Sequence, residues 1–317
     1  MVDSPYLPAA SVETEQGPAI GYAMVLTAGM LFAVNGTVSK VILVSSGLSS
    51  MRLTEARCTG ALIGLAAVLF ATRSQSLRTT RGELAFLFAY GLLGVALVQL
   101  YYFLAIERLD IGISLLIQYL APLMVALWAR FVVKERVRRR VWVALVLALA
   151  GLAVMVDLFG GVSLDGLGVV FSLLAAVMFA CALLLGEHAV GRRDPLSLLC
   201  YGFLFASIFW AVVQPWWSFP FHTLTERASL LGNLAGSHLP VWALVLWVVV
   251  LGTIMPFFLF VGALRHLPAT RVGIVAMIEP VLGALVAYAW LDESLAAQQF
   301  LGGAVVLAAI FLAQTAR

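Results

Sequence analysis

Charge is what this chain has least of. Only 11% of its 317 residues are Asp, Glu, Lys or Arg, while 63% are hydrophobic. An average soluble domain carries roughly 25% charge, so composition excludes a soluble globular protein and leaves a membrane protein. Cysteine is equally scarce. Cys58, Cys181 and Cys200 all lie inside apolar runs and form no CxxC pair, which argues against a disulfide framework and against a thiolate zinc site. The four histidines, His188, His222, His238 and His266, fall between the apolar runs, so neither a metal nor a cofactor is expected. No GxxxxGK[ST] loop occurs, and direct coupling to ATP is set aside on that ground. Lysine is nearly missing, with only Lys40 and Lys134 against a large arginine count. That bias suggests a GC-rich bacterial source. The net charge of +3 carries no message about nucleic acid, because the basic residues follow membrane topology.

What the chain does have is long apolar stretches. A spanning helix needs about 20 mostly apolar residues, and ten such spans are expected, near 20–44, 48–71, 84–106, 111–131, 141–158, 166–186, 196–217, 239–264, 270–291 and 297–314. They leave no room for a sizeable soluble domain. The expected architecture is an all-α integral membrane protein. Residues 1–18 carry acids and prolines but no basic residue, which is the wrong charge for a signal-peptide n-region, so this segment reads as a mobile cytoplasmic tail. Alternate loops hold nearly all the arginine. With the N-terminus inside, thirteen Lys/Arg fall in inner segments, and only Arg108 and Arg227 lie in outer loops. The positive-inside rule then places both termini in the cytoplasm of a bacterial cell, with the chain in its cytoplasmic membrane. The one long loop, 218–238, carries aromatic, Gly and Pro residues and is expected to lie near the membrane interface.

The stretch 111–135 is echoed, without a gap, 158 positions later: Pro122 falls on Pro280, Ala126 on Ala284 and Glu135 on Glu293. With five spans per half, the two halves must cross in opposite senses. Residues 19–158 and 159–317 are therefore expected to form an inverted repeat of five plus five helices, a plan that places a substrate site near the bilayer midplane between the halves. The first spans echo each other too, Phe32-Ala33 matching Phe179-Ala180.

These features carry a resemblance. Ala105-Ile-Glu-Arg-Leu109, Pro122 and Lys134-Glu135-Arg136, with the second set Ala263-Leu-Arg-His-Leu-Pro-Ala-Thr270, Glu279-Pro280 and Asp292-Glu293, resemble the EamA-type transporters of the drug/metabolite transporter superfamily, and Arg57 fits the same pattern. The resemblance covers nearly all of the chain after the tail. It implies a cytoplasmic-membrane carrier of small metabolites, often an exporter of amino acids or related compounds, and no single substrate.

Glu279 is the first candidate. At about 1.5 Å per residue it lies roughly 14 Å from the inner end of its span, and Arg57 lies roughly 13 Å in from the outer end of its own, both near the middle of a ~30 Å core. Intramembrane ionisable groups face a cavity or a partner and mark substrate or proton paths. Glu279 is therefore a candidate for binding a substrate amine or for proton coupling, and a structural ion pair is the bland alternative. A direct or substrate-mediated pairing with Arg57 is expected. Asn35, Gln99, Tyr102, Gln118, Tyr119, Phe257 and Met277 are further candidates for the cavity wall, although a lone amide in a membrane helix is more often helix–helix glue. Pro122, Pro256 and Pro280 each free a carbonyl one turn earlier and are candidate kinks or hinges, their bland alternative being a static bend.

The expected function is a secondary transporter that exports small polar metabolites by alternating access, with a small molecule, the bilayer and protons as partners. An uncoupled facilitator or exchanger is the alternative within transport. A membrane-embedded lipid or prenyl transferase is the alternative outside it, but the acids are dispersed where such chemistry needs them clustered. No catalytic residue is assigned. Oligomeric state is not legible.

Overall fold

The computed structural model describes residues 18–109, 111–158, 165–294 and 296–315. Apart from Pro18, the expected tail 1–18 lies outside the described residues. In a bilayer, backbone polar groups must pair within the segment, and the apolar runs accordingly form helices: α1 (Pro18–Ser46), α2 (Ser50–Thr72), α3 (Arg81–Ile106), α4 (Ile111–Gln118), α5 (Ala121–Phe131), α6 (Arg139–Met155), α7 (Gly166–Val190), α8 (Pro195–Val213), α9 (Val241–Ala263), α10 (Ala269–Ala276), α11 (Ile278–Leu291) and α12 (Ala297–Gln314). Side-chain caps set several starts. The Ser49 hydroxyl accepts from Arg52 N at 3.3 Å, and the Asp165 carboxylate accepts from Gly168 N at 2.8 Å. Each satisfies an amide that the first turn leaves unpaired.

Among the described residues, nine stretches are long and apolar enough to cross a membrane, with α4–α5 and α10–α11 each counting as one. The chain is a multi-pass membrane protein. The stretch expected over 141–158 is α6, which is 17 residues long. At about 1.5 Å per residue it spans about 25 Å, short of a ~30 Å hydrocarbon core. It ends early because Asp157 turns left-handed, at φ 53°.

Irregularities recur at the 158-residue offset. The span α4–α5 breaks at Tyr119–Leu120, and α10–α11 breaks at Met277. A π-helical turn at Tyr90–Leu97 in α3 has its counterpart at Val250–Ile254 in α9. Left-handed residues follow at Lys134 (φ 62°) and Asp292 (φ 58°). The turn in α9 shows how the extra residue is absorbed. Thr253 Oγ1 donates to Val248 O at 2.9 Å, one residue further back than an α-helical partner, and Pro256 follows with no N–H to lose.

One core cluster runs through the bundle, built from α1, α2, α3, α5, α6, α7, α8 and the α9–α12 region. Close approach between α6 and α12 depends on two glycines. A Cβ on Gly302 would lie 2.5 Å from Gly151 O and 2.6 Å from Met155 N, and one on Gly151 would lie 2.8 Å from Gly302 O. The segment 218–238, expected simply as an interfacial loop in an all-α protein, instead holds the first strand and the turn of a small antiparallel hairpin, β1 (Arg227–Ser229) on β2 (His238–Pro240), in register Ala228↔Leu239. Phe219 and Ala228 pack on Val38, Val41, Ile42 and Leu244 in a second core at that end. Sequence missed it because three-residue strands show too little alternation to read. His188 also departs from expectation: it sits inside the last turns of α7, its ring 5.6 Å from Phe86.

Candidate functional site

The helices enclose a cavity of about 1130 Å³. Ordinary ligand pockets measure about 300–1,000 Å³, so a small solute would enter with water around it. Its rim is made by Lys40 and Val44 near the end of α1, Ser50 at the start of α2, Ile106 and Ile111 across the α3–α4 turn, Asp157, and Glu293, Ser294, Ala296, Gln298 and Gln299. All these residues lie at one end of the bundle, the mouth. There Lys40 pairs with Glu293, and the hairpin holds α11 through Trp290 Nε1 donating to Leu230 O at 2.8 Å and Asn233 Nδ2 donating to Ala289 O at 3.0 Å. Arg52 also lies at this end, donating to Pro215 O at 3.1 Å and Ser218 Oγ at 2.6 Å. Lys40 and Arg52 therefore join Arg108 and Arg227 on the side expected to hold only two cations. Both were read as parts of spans, yet they reach back to the mouth.

The opposite end is arginine-rich and tied shut. Arg193 pairs with Glu83, its Nη2 donates to Ser76 O at 2.8 Å, and its Nε donates to Ser197 Oγ at 2.9 Å. Tyr201 Oη donates to Leu77 O at 2.6 Å, and Arg73 meets Asp194 at 3.2 Å. These bonds clamp the start of α8 onto the α2–α3 connection. Glu187 of α7 accepts from Ala269 N at 2.8 Å and so caps α10, a favourable place for a carboxylate.

Between the two ends, the cavity wall gathers Asn35, Arg57, Gln99, Tyr102, Gln118, Tyr119, Phe257, Glu279 and Pro280. Met277 is the exception among the binding candidates. It is fully buried in the core rather than at the wall, because the break turns it away while presenting Glu279. Pro122 and Pro256 are likewise buried behind the lining; Pro122 lies against Gly273, where a Cβ would come within 2.7 Å of its ring. Sequence reasoning missed the aromatic shelf of Phe32, Phe179 and Phe260. Phe32 packs edge-on to Phe257 at 5.4 Å, and Phe179 lies 6.2 Å from Phe260 and 6.3 Å from Tyr119. The Phe-Ala echo in the two first spans was its signal.

Glu279 is held at the meeting point of the two broken spans. Tyr119 Oη lies 2.9 Å from Glu279 Oε2 and 3.3 Å from Ala276 O. That carbonyl is the one four residues before Pro280, which offers it no N–H. Arg57 and Glu279 share the cavity but form no ion pair among the described residues, so the direct contact anticipated between them is absent. Arg57 Nε, Asn35 Oδ1, Gln99 Oε1 and Gln118 Oε1 are buried without a hydrogen-bond partner. Buried polar atoms are nearly always satisfied, and four orphans on the wall of one cavity are groups without a partner in the protein. Asn35 is tightly placed: its Oδ1 sits where a Cβ on Gly252, in the π-turn of α9, would lie 2.1 Å away.

A bundle of apolar helices around a cavity that opens at one end and carries a few polar groups on a mostly apolar wall is the build of a membrane transporter. Residues 19–157 and 166–315 each match the EamA-like transporter family, and the chain belongs to that family, with its unit present twice. Among relatives, an uncharacterized transporter of Archaeoglobus fulgidus is 28% identical over 67% of this chain and 70% of its own length. The threonine/homoserine exporter RhtA of Escherichia coli is 29% identical over 68% of this chain and 67% of its own, and the uncharacterized transporter YwfM of Bacillus subtilis is 25% identical over 80% and 82%. A solved crystal structure superposes with a TM-score of 0.72 over 93% of this chain and 96% of that one, at 18% identity; this likeness speaks for the fold alone.

Proposed function

We propose that the chain exports small zwitterionic metabolites of the amino-acid type by alternating access, using the cavity between its halves. The observation that carries this reading is that Glu279 and Arg57 face one cavity without pairing. A carboxylate and a guanidinium left apart match the ammonium and carboxylate of a zwitterion, because charge-assisted bonds to each are the strong ones. The orphan oxygens of Asn35, Gln99 and Gln118 supply acceptors for the remaining ammonium protons or a hydroxyl, and Phe257 with its aromatic neighbours supplies an apolar shelf. The exporter RhtA, named for threonine and homoserine, has about the same span of similarity and supports the same class.

In this reading α6 is the short fifth span, and residues 19–158 and 159–317 are five-helix repeats in opposite senses. The recurring breaks, π-turns and left-handed residues support that arrangement. The arginine-rich end faces the cytoplasm with both termini, so the mouth is outward-facing and the Arg193 clamp is the closed inner gate. Pro122, Pro256 and Pro280 are the places where the gates flex. Glu279 takes up the protons that drive export. The test is metabolite release. Cells overproducing the protein should accumulate an amino acid such as threonine in the medium faster than cells lacking it. Equal release of every amino acid, with the protein verified in the membrane, would contradict the substrate class.

A further inference from the structure

Tyr119 is placed between two acceptors and has one hydrogen to give. Its hydroxyl lies within reach of the Glu279 carboxylate and of the Ala276 carbonyl, and it donates to one of them at a time. With Glu279 ionised, the charged acceptor wins, since bonds to ionised groups are roughly twice as strong as neutral ones. When a proton from cavity water binds Glu279 Oε2, the new O–H donates to Tyr119 Oη, and the tyrosine hydrogen turns to Ala276 O. When the proton leaves to cavity water, both bonds reverse. Nothing else changes covalently.

From this we infer that Tyr119 is a positioning residue that converts the protonation of Glu279 into a change at the joint between the two broken spans. In the ionised state the break after α4 is tied to α11 through the Tyr119 side chain. In the neutral state it is also tied to the last residue of α10 through the backbone, at the carbonyl that Pro280 leaves without an amide. The other ionisable groups around the carboxylate are Arg57 of α2 and Tyr102 of α3. On the elements packed against α11, Lys40 of α1 is engaged at the mouth with Glu293, Tyr22 and Arg271 lie toward the opposite end of α1 and α10, and α12 carries no ionisable side chain. Tyr119 is the ionisable residue hydrogen-bonded both to the carboxylate and to the broken backbone. Its ring is buried against Phe179, so the hydroxyl switches acceptors without moving the side chain.

The test is infrared difference spectroscopy on the intact purified protein across a pH titration, with a flux assay beside it. In wild type, the protonated-carboxyl band of Glu279, identified by its loss in Glu279→Gln, should grow in step with a change in one tyrosine C–O band. The chain has eight tyrosines, and Tyr119→Phe should remove that band while the carboxyl band still titrates. A tyrosine band that stays constant while Glu279 titrates overturns the inference, and so does the absence of any Glu279 carboxyl band. In proteoliposomes with an acidic lumen, labelled threonine uptake by wild type should be stimulated over the pH-matched control, and Tyr119→Phe should lose that stimulation. Stimulation persisting in Tyr119→Phe also overturns the inference. The flux arm rests on the proposed export function and the spectroscopic arm does not. If wild type moves no threonine, the substrate reading falls and the spectra still decide the role of Tyr119.

Discussion

The contact between Asn35 and Gly252 supports a quantitative test of the site's construction. Replacing Gly252 by Ala puts a methyl group 2.1 Å from Asn35 Oδ1, 2.6 Å from Cγ and 3.1 Å from Cβ, where non-bonded carbons prefer about 3.5–4.0 Å. The whole Asn35 side chain must swing away. It is buried beside the cavity, so relief requires a rotamer change or a shift of α1 from α9. Overpacking of this kind costs about 1–3 kcal/mol. Asn35→Ala removes the two nearest atoms and leaves only the 3.1 Å contact, which a few tenths of an ångström relieves. Gly252→Ala should therefore lower the thermal midpoint in detergent. Asn35→Ala alone should change it little, because it also deletes an unpartnered oxygen, and the double variant should melt near Asn35→Ala. Sites in contact couple by about 0.5–3 kcal/mol, and the coupling here should fall within that range and be favourable. A Gly252→Ala protein as stable as wild type, or a double variant as unstable as the sum of its parts, would refute the packing argument.

Other outcomes follow from the same structure. Gly302→Ala should be more damaging than Gly252→Ala, because its methyl meets backbone atoms at 2.5 and 2.6 Å that no rotamer change can clear; low yield of folded protein and a lower thermal midpoint are the readouts. Arg193→Ala removes the donor to Glu83, Ser76 and Ser197 that clamps the arginine-rich end, and in a chain keeping Cys200 as its only cysteine it should speed maleimide labelling of that thiol, which is buried beside the clamp; unchanged labelling would mean the clamp does not hold that end shut. Lys40→Ala should shift stability by less than about 1 kcal/mol, since its pair with Glu293 is roughly half exposed and exposed pairs are worth little.

Much of the fold was legible because the constraints were one-dimensional. Length and apolarity fixed the helices to within a few residues, and the Pro122–Pro280 offset located both breaks. The candidate wall was legible where a polar residue interrupted an apolar run, as at Arg57, Gln99, Gln118 and Glu279. The facing of residues was not. In a membrane, lipid and protein interior are both apolar, so helices such as α2 and α7 show no periodic stripe that separates cavity from bilayer. Met277 was therefore assigned to the wall and proved to be core, while Phe260 was passed over. Lys40 and Arg52 were read by position along the chain, whereas their long side chains reach the mouth. The π-turns left no trace except a glycine at the shared offset, Gly94 and Gly252. The Tyr119–Glu279 bond joins residues 160 apart, and only the fold brings them together.

The central claim is that Glu279 and Arg57 bind opposite ends of one zwitterion. The direct measurement is exchange of labelled threonine by purified protein in liposomes with no ion gradient, competed by threonine, its methyl ester and its deaminated 2-hydroxy acid. Wild type should be competed well by threonine and poorly by either analogue. Arg57→Gln should lose the discrimination against the ester, and Glu279→Gln the discrimination against the hydroxy acid. If both analogues compete as well as threonine, or if the two variants lose the same discrimination, the two residues do not divide the substrate between them.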